Sequence, residues 1–416
     1  MENQAIIFLY LFQHSIFYAI IVYFIGMYPL FFSTVWTTMS LFYFVRKEKK
    51  DYLQETEGVD LPKVSIMIAA YNEEKYIWLA LKSIQALDYP NFEVVVVNDG
   101  STDNTLKILE EFSKEYPIRI ISKKQNQGKA IAINDAMKCV EGEIILFTDA
   151  DAELQSDVLQ WLIPHFKSTR VAAVAGNPRI KNTDNFLCRM QALEYTTIIS
   201  TIRRSQRVWG RIMTFSGVLF ALRKSAFYDV GGFDINARTE DIALTWRLQR
   251  RYWDIFFENN AVAWIFTPST YLGFIKQRIR WSQGLMYVIH QNANVLFHWK
   301  SRRMWPVLLE NILSTLWVIG VFMMFLLWLL AIFANYSAGI SFVPFVWGIS
   351  IATVNIITQC IAIMLDKKYD PQIKRFLFYT VYFPIYYWLF LAFIAFIEIP
   401  WLFQKSRPAL GWKSER

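Results

Sequence analysis

The side chains best suited to chemistry fall into a few short clusters. Thr239-Glu240-Asp241 stands immediately before an apolar helical turn, Ile242-Ala243-Leu244-Thr245-Trp246. These acids could cap that helix, where negative charge complements the N-terminal dipole. Alternatively, a carboxylate here could act as a general base and take the proton of an attacking hydroxyl. No Ser-His-Asp or Cys-His arrangement competes for that role. Further on, Gln277-Arg278-Ile279-Arg280-Trp281 combines arginine forks suited to phosphate oxygens with an indole face on which a sugar ring packs. The surrounding stretch, Phe274 to Trp299, is also amphipathic and could be a basic helix lying on a membrane surface.

Upstream, Phe147-Thr148-Asp149-Ala150-Asp151 places two carboxylates two residues apart at the end of an apolar run. Hard oxygen ligands so spaced could hold Mg²⁺ or Mn²⁺ and neutralise a diphosphate leaving group. Val97-Asn98-Asp99-Gly100-Ser101 is either an ordinary turn with helix-capping residues or a carboxylate presented to a base or ribose. Tyr71, in Ala70-Tyr71-Asn72-Glu73-Glu74, offers a stacking face. Gln127-Gly128-Lys129 opens a helix predicted over Ile131 to Lys138 and could hold a phosphate. It lacks the rest of a Walker motif, which argues against a kinase or ATPase.

These clusters need a scaffold that presents strand ends. Val64 to Ala70, Phe92 to Val97 and Glu143 to Phe147 are short apolar runs of the length of buried parallel strands. Helical periodicity separates them, over Glu73 to Leu87 and Asp103 to Lys114. Strand, helix, strand predicts a doubly wound α/β sheet, which binds ligands beyond the carboxyl ends of its strands.

The chain of 416 residues is 54% hydrophobic and 17% aromatic, with a mean hydropathy of +0.24. The apolar residues gather at the two ends, so an integral membrane protein is expected. Ala5 to Val45 is long enough for two spanning helices, at about 20 residues each, with Gly26 and Pro29 marking the break; one long tilted helix is the alternative. Pro306 to Phe333, Phe342 to Leu365 and Phe376 to Trp401 are three further candidates, the last interrupted by Pro384. It could be a single crossing or a re-entrant hairpin. The expected division is a membrane region over 1–48, an α/β domain over 60–304, a second membrane region over 305–403 and a basic tail over 404–416. The formal charge is +8, with Lys and Arg crowding the edges of apolar runs, as at Arg46 to Lys50. That pattern fits the positive-inside rule and a cytoplasmic central domain more readily than nucleic-acid binding. Asp366 to Arg375 reads as a charged cytoplasmic loop. Phe186 to Phe215, with Arg203-Arg204 and Arg207, could be a membrane-surface anchor or an acceptor-binding stretch. The three cysteines are far apart and suggest neither a disulfide framework nor a zinc site.

Asp99, Asp149-Ala150-Asp151, Thr239-Glu240-Asp241 and Gln277 to Trp281 occur in an order that resembles the processive family 2 glycosyltransferases of GT-A (Rossmann-like) fold. The bacterial poly-β-1,6-N-acetyl-D-glucosamine synthases are the nearer likeness. Gly176 to Ile180, Glu194-Tyr195, Arg204-Ser205-Gln206, Ser216-Gly217-Val218 and Arg280 to Gly284 carry it. Gly231-Gly232-Phe233-Asp234 departs from the Gly-Tyr-Trp expected there. The resemblance implies that Tyr71, Glu73 and Asp99 hold the uridine of a UDP-sugar donor, UDP-GlcNAc. Lys129, Asp149 and Arg280 would complete the donor site, and Asp149 and Asp151 would place Mg²⁺ or Mn²⁺. It implies Asp241 as the base and Glu240, Gln277 and Trp281 at the acceptor. Inversion in a single displacement, a growing polysaccharide guided through membrane lipid, location in the bacterial inner membrane and a small accessory subunit are implied too. Alternatives are another polysaccharide synthase of hyaluronan, chitin or cellulose type, or single transfer to a lipid carrier. A transporter with a nucleotide-binding domain is opposed by the scarcity of ionisable residues in the spans, where Glu310 and Glu398 lie near the ends.

Overall fold

The computed structural model describes residues 2–48, 61–336 and 343–400. The expected tail over 404–416, and the Lys49-Lys50 end of the basic cluster, lie outside them. The chain begins with a short apolar helix, α1 (Glu2–Gln13), and a long one, α2 (Ile16–Tyr43). The break is therefore at His14-Ser15, not at Gly26 and Pro29, and α2 runs straight through both. Pro29 has no N–H for the Ile25 carbonyl. That oxygen instead accepts from Trp317 Nε1 at 2.9 Å, which satisfies it away from water.

An α/β unit follows: β1 (Val64–Ala70), α3 (Ile77–Gln85), β2 (Phe92–Asn98), α4 (Thr105–Ser113), β3 (Ile118–Ser122), α5 (Lys129–Ala136) and β4 (Ile144–Asp149). The run predicted as the third strand is thus the fourth, because β3 intervenes. β5 (Glu153–Leu154), α6 (Val158–Leu162), β6 (Val171–Ile180), α7 (Phe186–Glu194) and α8 (Thr201–Trp209) come next. β7 (Leu219–Arg223), α9 (Lys224–Asp229), α10 (Glu240–Arg250), β8 (Asp254–Ile265) and α11 (Tyr271–Asn292) complete the unit.

The eight strands form one sheet in the order β3-β2-β1-β4-β7-β6-β8-β5. The first four are parallel, and β7 enters antiparallel to both β4 and β6. Alternation sends Ile66, Ile68, Val94, Val96 and Leu146 into one core under α3, α4 and α6. Met67, Ala69, Val95, Val97 and Phe147 point into the other, with α5 and α10. Both faces are covered, so the central strands are apolar throughout. Register decides what emerges at the carboxyl edge: Ala70 pairs with Asn98 and Ala69 with Asp149. Tyr71, Asp99 and Asp149 therefore leave neighbouring strands at one level.

The last third holds α12 (Trp305–Phe333), α13 (Val343–Asp366) and α14 (Ala392–Glu398). Among the described residues, three helical stretches are long and apolar enough to cross a membrane: Ile16–Glu48, Trp299–Phe333 and Trp347–Asp366. A fourth pair, Pro371–Val381 and Ile385–Glu398, bends by 74°. Aromatic contacts lock α2 to α12, with Tyr28 and Trp388 both within 6.0 Å of the Trp317 ring.

Two expectations fail where the membrane ends meet the α/β unit. Asp366, expected to open a charged cytoplasmic loop, instead ends α13, is fully buried and pairs with Arg179 at 2.6 Å and Arg204 at 2.7 Å. Arg204 also bonds Glu48 at 2.7 Å, at the end of the first span. The anchor reading of Phe186 to Phe215 fails with it, since Arg203 and Arg204 face inward. Ion pairs so buried exist only because each charge finds its partners.

Candidate active site

A cavity of about 470 Å³ opens at the carboxyl edge of the sheet and reaches the membrane helices. Lys129, Asp149, Glu240, Asp241, Gln277, Arg280 and Trp281 all line it, together with Asn311, Ser314 and Val318 of α12. The sequence motifs thus converge from α5, β4, α10 and α11 onto one space.

Lys129 is the hub. Its ammonium donates to Asp149 Oδ1 at 2.6 Å and lies 3.5 Å from Glu240 Oε1. Burial pulls its proton affinity down, but Asp149 and Glu240 outweigh that and hold it above the ordinary value. The loop before it is fastened from below by Asp99. That carboxylate accepts from the Gln127 N–H at 3.1 Å and the Gly128 N–H at 2.8 Å. Asp99, Glu73 and Asp151 are buried and, with Tyr71, lie outside the cavity wall.

Asp241 and Glu240 sit in the first turn of α10, where their charge complements the helix dipole as expected, but the N-cap residue Thr239 makes no side-chain capping hydrogen bond. Its Oδ2 accepts from the Gly217 N–H at 2.9 Å, across from β7. A Cβ on Gly217 would stand 3.3 Å from that oxygen, so glycine permits the close approach. Burial, then the charge of Glu240, push the Asp241 pKa up to about 6, against Lys129 and two backbone N–H groups. A carboxylate poised there is ionised at neutral pH and basic enough to accept a proton.

On α11, the two arginines of the motif part company. Arg278 is buried and forms a two-pronged pair with Glu194 at 2.7 and 2.9 Å. Its guanidinium lies 4.4 Å from the Trp281 ring centroid, which sets the indole against the cavity. Arg280 keeps its place on the wall. Gln277 lines the cavity, and its Oε1 is buried without a hydrogen-bond partner among the described residues. The α10–α11 contact is close: Gly284 packs on Thr239 so tightly that a Cβ would fall 2.0 Å from its Oγ1.

The Asp149 and Asp151 carboxylates fit a hard divalent cation by chemistry. Both offer only oxygen, and the Lys129 ammonium already marks Asp149 as a cation-stabilising point. Among the described residues no set of three or more His, Cys, Asp or Glu side chains converges as a metal site. Diphosphate oxygens would have to complete the shell.

Glu194 and Gly217 line the cavity although motif reading gave them no task, and Arg203 joins them from a stretch read as either a surface anchor or an acceptor-binding segment. Glu194 and Gly217 stand within stretches that carry the family likeness, which was the available signal.

Residues 65–231 match the model of glycosyl transferase family 2. The chain is 33% identical over 404 residues to a poly-β-1,6-N-acetyl-D-glucosamine synthase of Staphylococcus epidermidis, covering 94% of this chain and 97% of that one. It is 30% identical over 403 residues to the Staphylococcus aureus synthase of the same name, with the same coverage. Its fold is similar to that of a Pyrobaculum calidifontis mannosyltransferase solved with GDP-mannose and Mn²⁺. The TM-score is 0.59 at 20% identity, over 91% of this chain and 99% of that one.

Proposed function

Because this chain belongs to glycosyl transferase family 2, alongside the poly-β-1,6-N-acetyl-D-glucosamine synthases, we propose that it is a processive, inverting synthase. It polymerises N-acetylglucosamine from UDP-GlcNAc into a β-1,6-linked exopolysaccharide and passes the product across the bacterial inner membrane. In this reading 60–304 is the cytoplasmic catalytic domain, with 1–48 and 305–403 as membrane regions and a small accessory subunit as partner.

The observation that carries the reading is the continuity of the cavity. One space joins the Asp149–Lys129–Glu240 charge cluster, the Asp241 carboxylate and polar side chains of a membrane helix. In the reaction, an acceptor hydroxyl lies near Asp241 with its sugar on Trp281, and its oxygen attacks the donor's anomeric carbon. The bond from that carbon to the diphosphate breaks, UDP departs with the electron pair, and Asp241 takes the hydroxyl proton. Lys129 and Arg280 face the charge that builds on the leaving group. Tyr71, Glu73 and Asp99 serve the uridine end, Asp99 through the Gln127-Gly128 backbone it fixes. Mg²⁺ or Mn²⁺ at Asp149 and Asp151, when bound, supplies further neutralisation of the diphosphate.

The test is to supply the purified protein with radiolabelled UDP-sugars and Mg²⁺ or Mn²⁺. Polymer from UDP-GlcNAc is expected. A lipid-linked monosaccharide alone would replace the polymerase reading with single transfer. Absence of UDP release from every donor would remove the enzymatic reading.

A further inference from the structure

Arg203, on α8, lines the same cavity and is 6% exposed. The buried arginines around it are each paired with acids: Arg179 and Arg204 with Asp366, and Arg278 with Glu194. Among the described residues no carboxylate lies within 4.0 Å of Arg203. Its one protein acceptor is the Gly176 carbonyl at 3.5 Å, and its guanidinium stands 5.5 Å from the Phe257 ring centroid. Burial lowers its pKa to about 10, so it remains charged at neutral pH. The Asp241 carboxylate supports that charge only from beyond 4.0 Å, which offsets burial in part, so the guanidinium fork itself is left to donate to whatever fills the cavity.

The other charges of the cavity narrow the choice of ligand. Lys129 engages both Asp149 and Glu240, and Arg278 engages Glu194. The residues flanking Arg203 on the wall are Ile199, Ile202 and Gln206, and among the acids of the cavity Asp241 acts on its charge.

We propose that Arg203 is a specificity-determining residue of the acceptor site, where its guanidinium donates to uncharged oxygens of the acceptor sugar and rejects sugars that carry a protonated amine. An acetamido group presents a carbonyl oxygen to the fork. A free amine at the same place is an ammonium, repelled by a fixed like charge in a water-poor space. The enzyme therefore elongates N-acetylated ends and stops at de-N-acetylated ones. This assignment rests on the synthase function proposed above.

The experiment compares β-1,6-linked N-acetylglucosamine oligosaccharides with their de-N-acetylated counterparts as acceptors for the full-length enzyme, with UDP-GlcNAc as donor. Wild type is expected to prefer the acetylated acceptor by at least about tenfold in kcat/KM. Arg203→Gln should raise the acetylated acceptor's KM by about tenfold, shift donor KM by less than about twofold, and erase most of the preference. Arg203→Lys, which keeps the charge without the fork, should retain the preference and lose affinity. Three results would overturn the assignment while leaving the synthase intact. They are equal use of both acceptors by wild type, an unchanged preference in Arg203→Gln, and a rise in donor KM in place of acceptor KM. A wild type that elongates neither acceptor and makes no polymer overturns the function and this assignment together.

Discussion

The Asp241 carboxylate and the Gly217 backbone are joined across the cavity by a 2.9 Å hydrogen bond. This bond ties the first turn of α10 to the segment before β7 and holds in place the carboxylate proposed as the base. The other carboxylate oxygen, Oδ1, accepts from the Ile242 N–H at 2.9 Å.

With its pKa near 6, Asp241 must lose its proton to act. UDP release should therefore rise with pH through about 6 and level off above it. Asp241→Asn should reduce transfer at least about a hundredfold while UDP-GlcNAc still binds, measured by calorimetry. The stability effect runs in the opposite sense. The folded pKa lies above the ordinary 3.8, so the protonated group contributes stability at low pH that is lost as pH rises through about 6. Asn retains an acceptor for the Gly217 N–H, and the variant should show a higher Tm than wild type at about pH 8 but not at about pH 4.

Glu240 and Lys129 act on that pKa with opposite signs. Glu240→Gln should move the acidic limb of the rate profile to lower pH, and Lys129→Met should move it to higher pH, each by about one unit. Opposite displacements in the two profiles are the diagnostic; a common direction would contradict the charge cluster described.

Gly284→Ala should drive a methyl into Thr239 and separate α10 from α11. Overpacking of this kind costs about 1–3 kcal/mol, and misplacing Trp281 against Asp241 should lower kcat by at least about tenfold. Thr239→Ala in the same chain should recover part of both losses, because it removes the nearest atoms. Thermal unfolding and polymer assays read the two effects separately.

Breaking the Glu194–Arg278 pair from one side leaves a buried charge alone. Glu194→Gln should cost about 3–5 kcal/mol, while the Glu194→Met/Arg278→Met double variant should regain much of it. Trp281 fluorescence should shift in both, since the guanidinium beneath its ring is disturbed or lost.

Chelation should abolish polymer formation, with Mg²⁺ or Mn²⁺ restoring it. Asp149→Asn and Asp151→Asn should each raise the metal concentration needed for half-maximal rate by at least about tenfold.

Much of the site was legible because local pattern sufficed. Continuous apolar runs marked β1, β2 and β4, and their ends placed Asp99 and Asp149 on one edge. Elements governed by distant partners were not legible. β3 is a half-exposed edge strand of five residues and gives little periodic signal. β6 and β8 bury Asn177, Arg179, Glu258 and Asn259, which look solvent-facing when read alone. Pro29 signals a break, yet Trp317 supplies the hydrogen bond that allows the helix to continue. Arg203 and Arg204 resembled a surface face because the acids that bury Arg204 come from the far ends of the chain.

That last arrangement bears on how the protein is made. Glu48 closes the first span, and Tyr369, which donates to its carboxylate, lies 321 residues later. A ribosome releases the α/β unit well before Asp366 and Tyr369 emerge. Until then Arg179 and Arg204 have no Asp366 to meet, and Glu48 alone ties Arg204 to the end of the first long apolar stretch. The acidic end of α13 is thus made long after the arginines it neutralises. Chains cut short before it should leave Arg179 without an acid, while Arg204 keeps Glu48 alone.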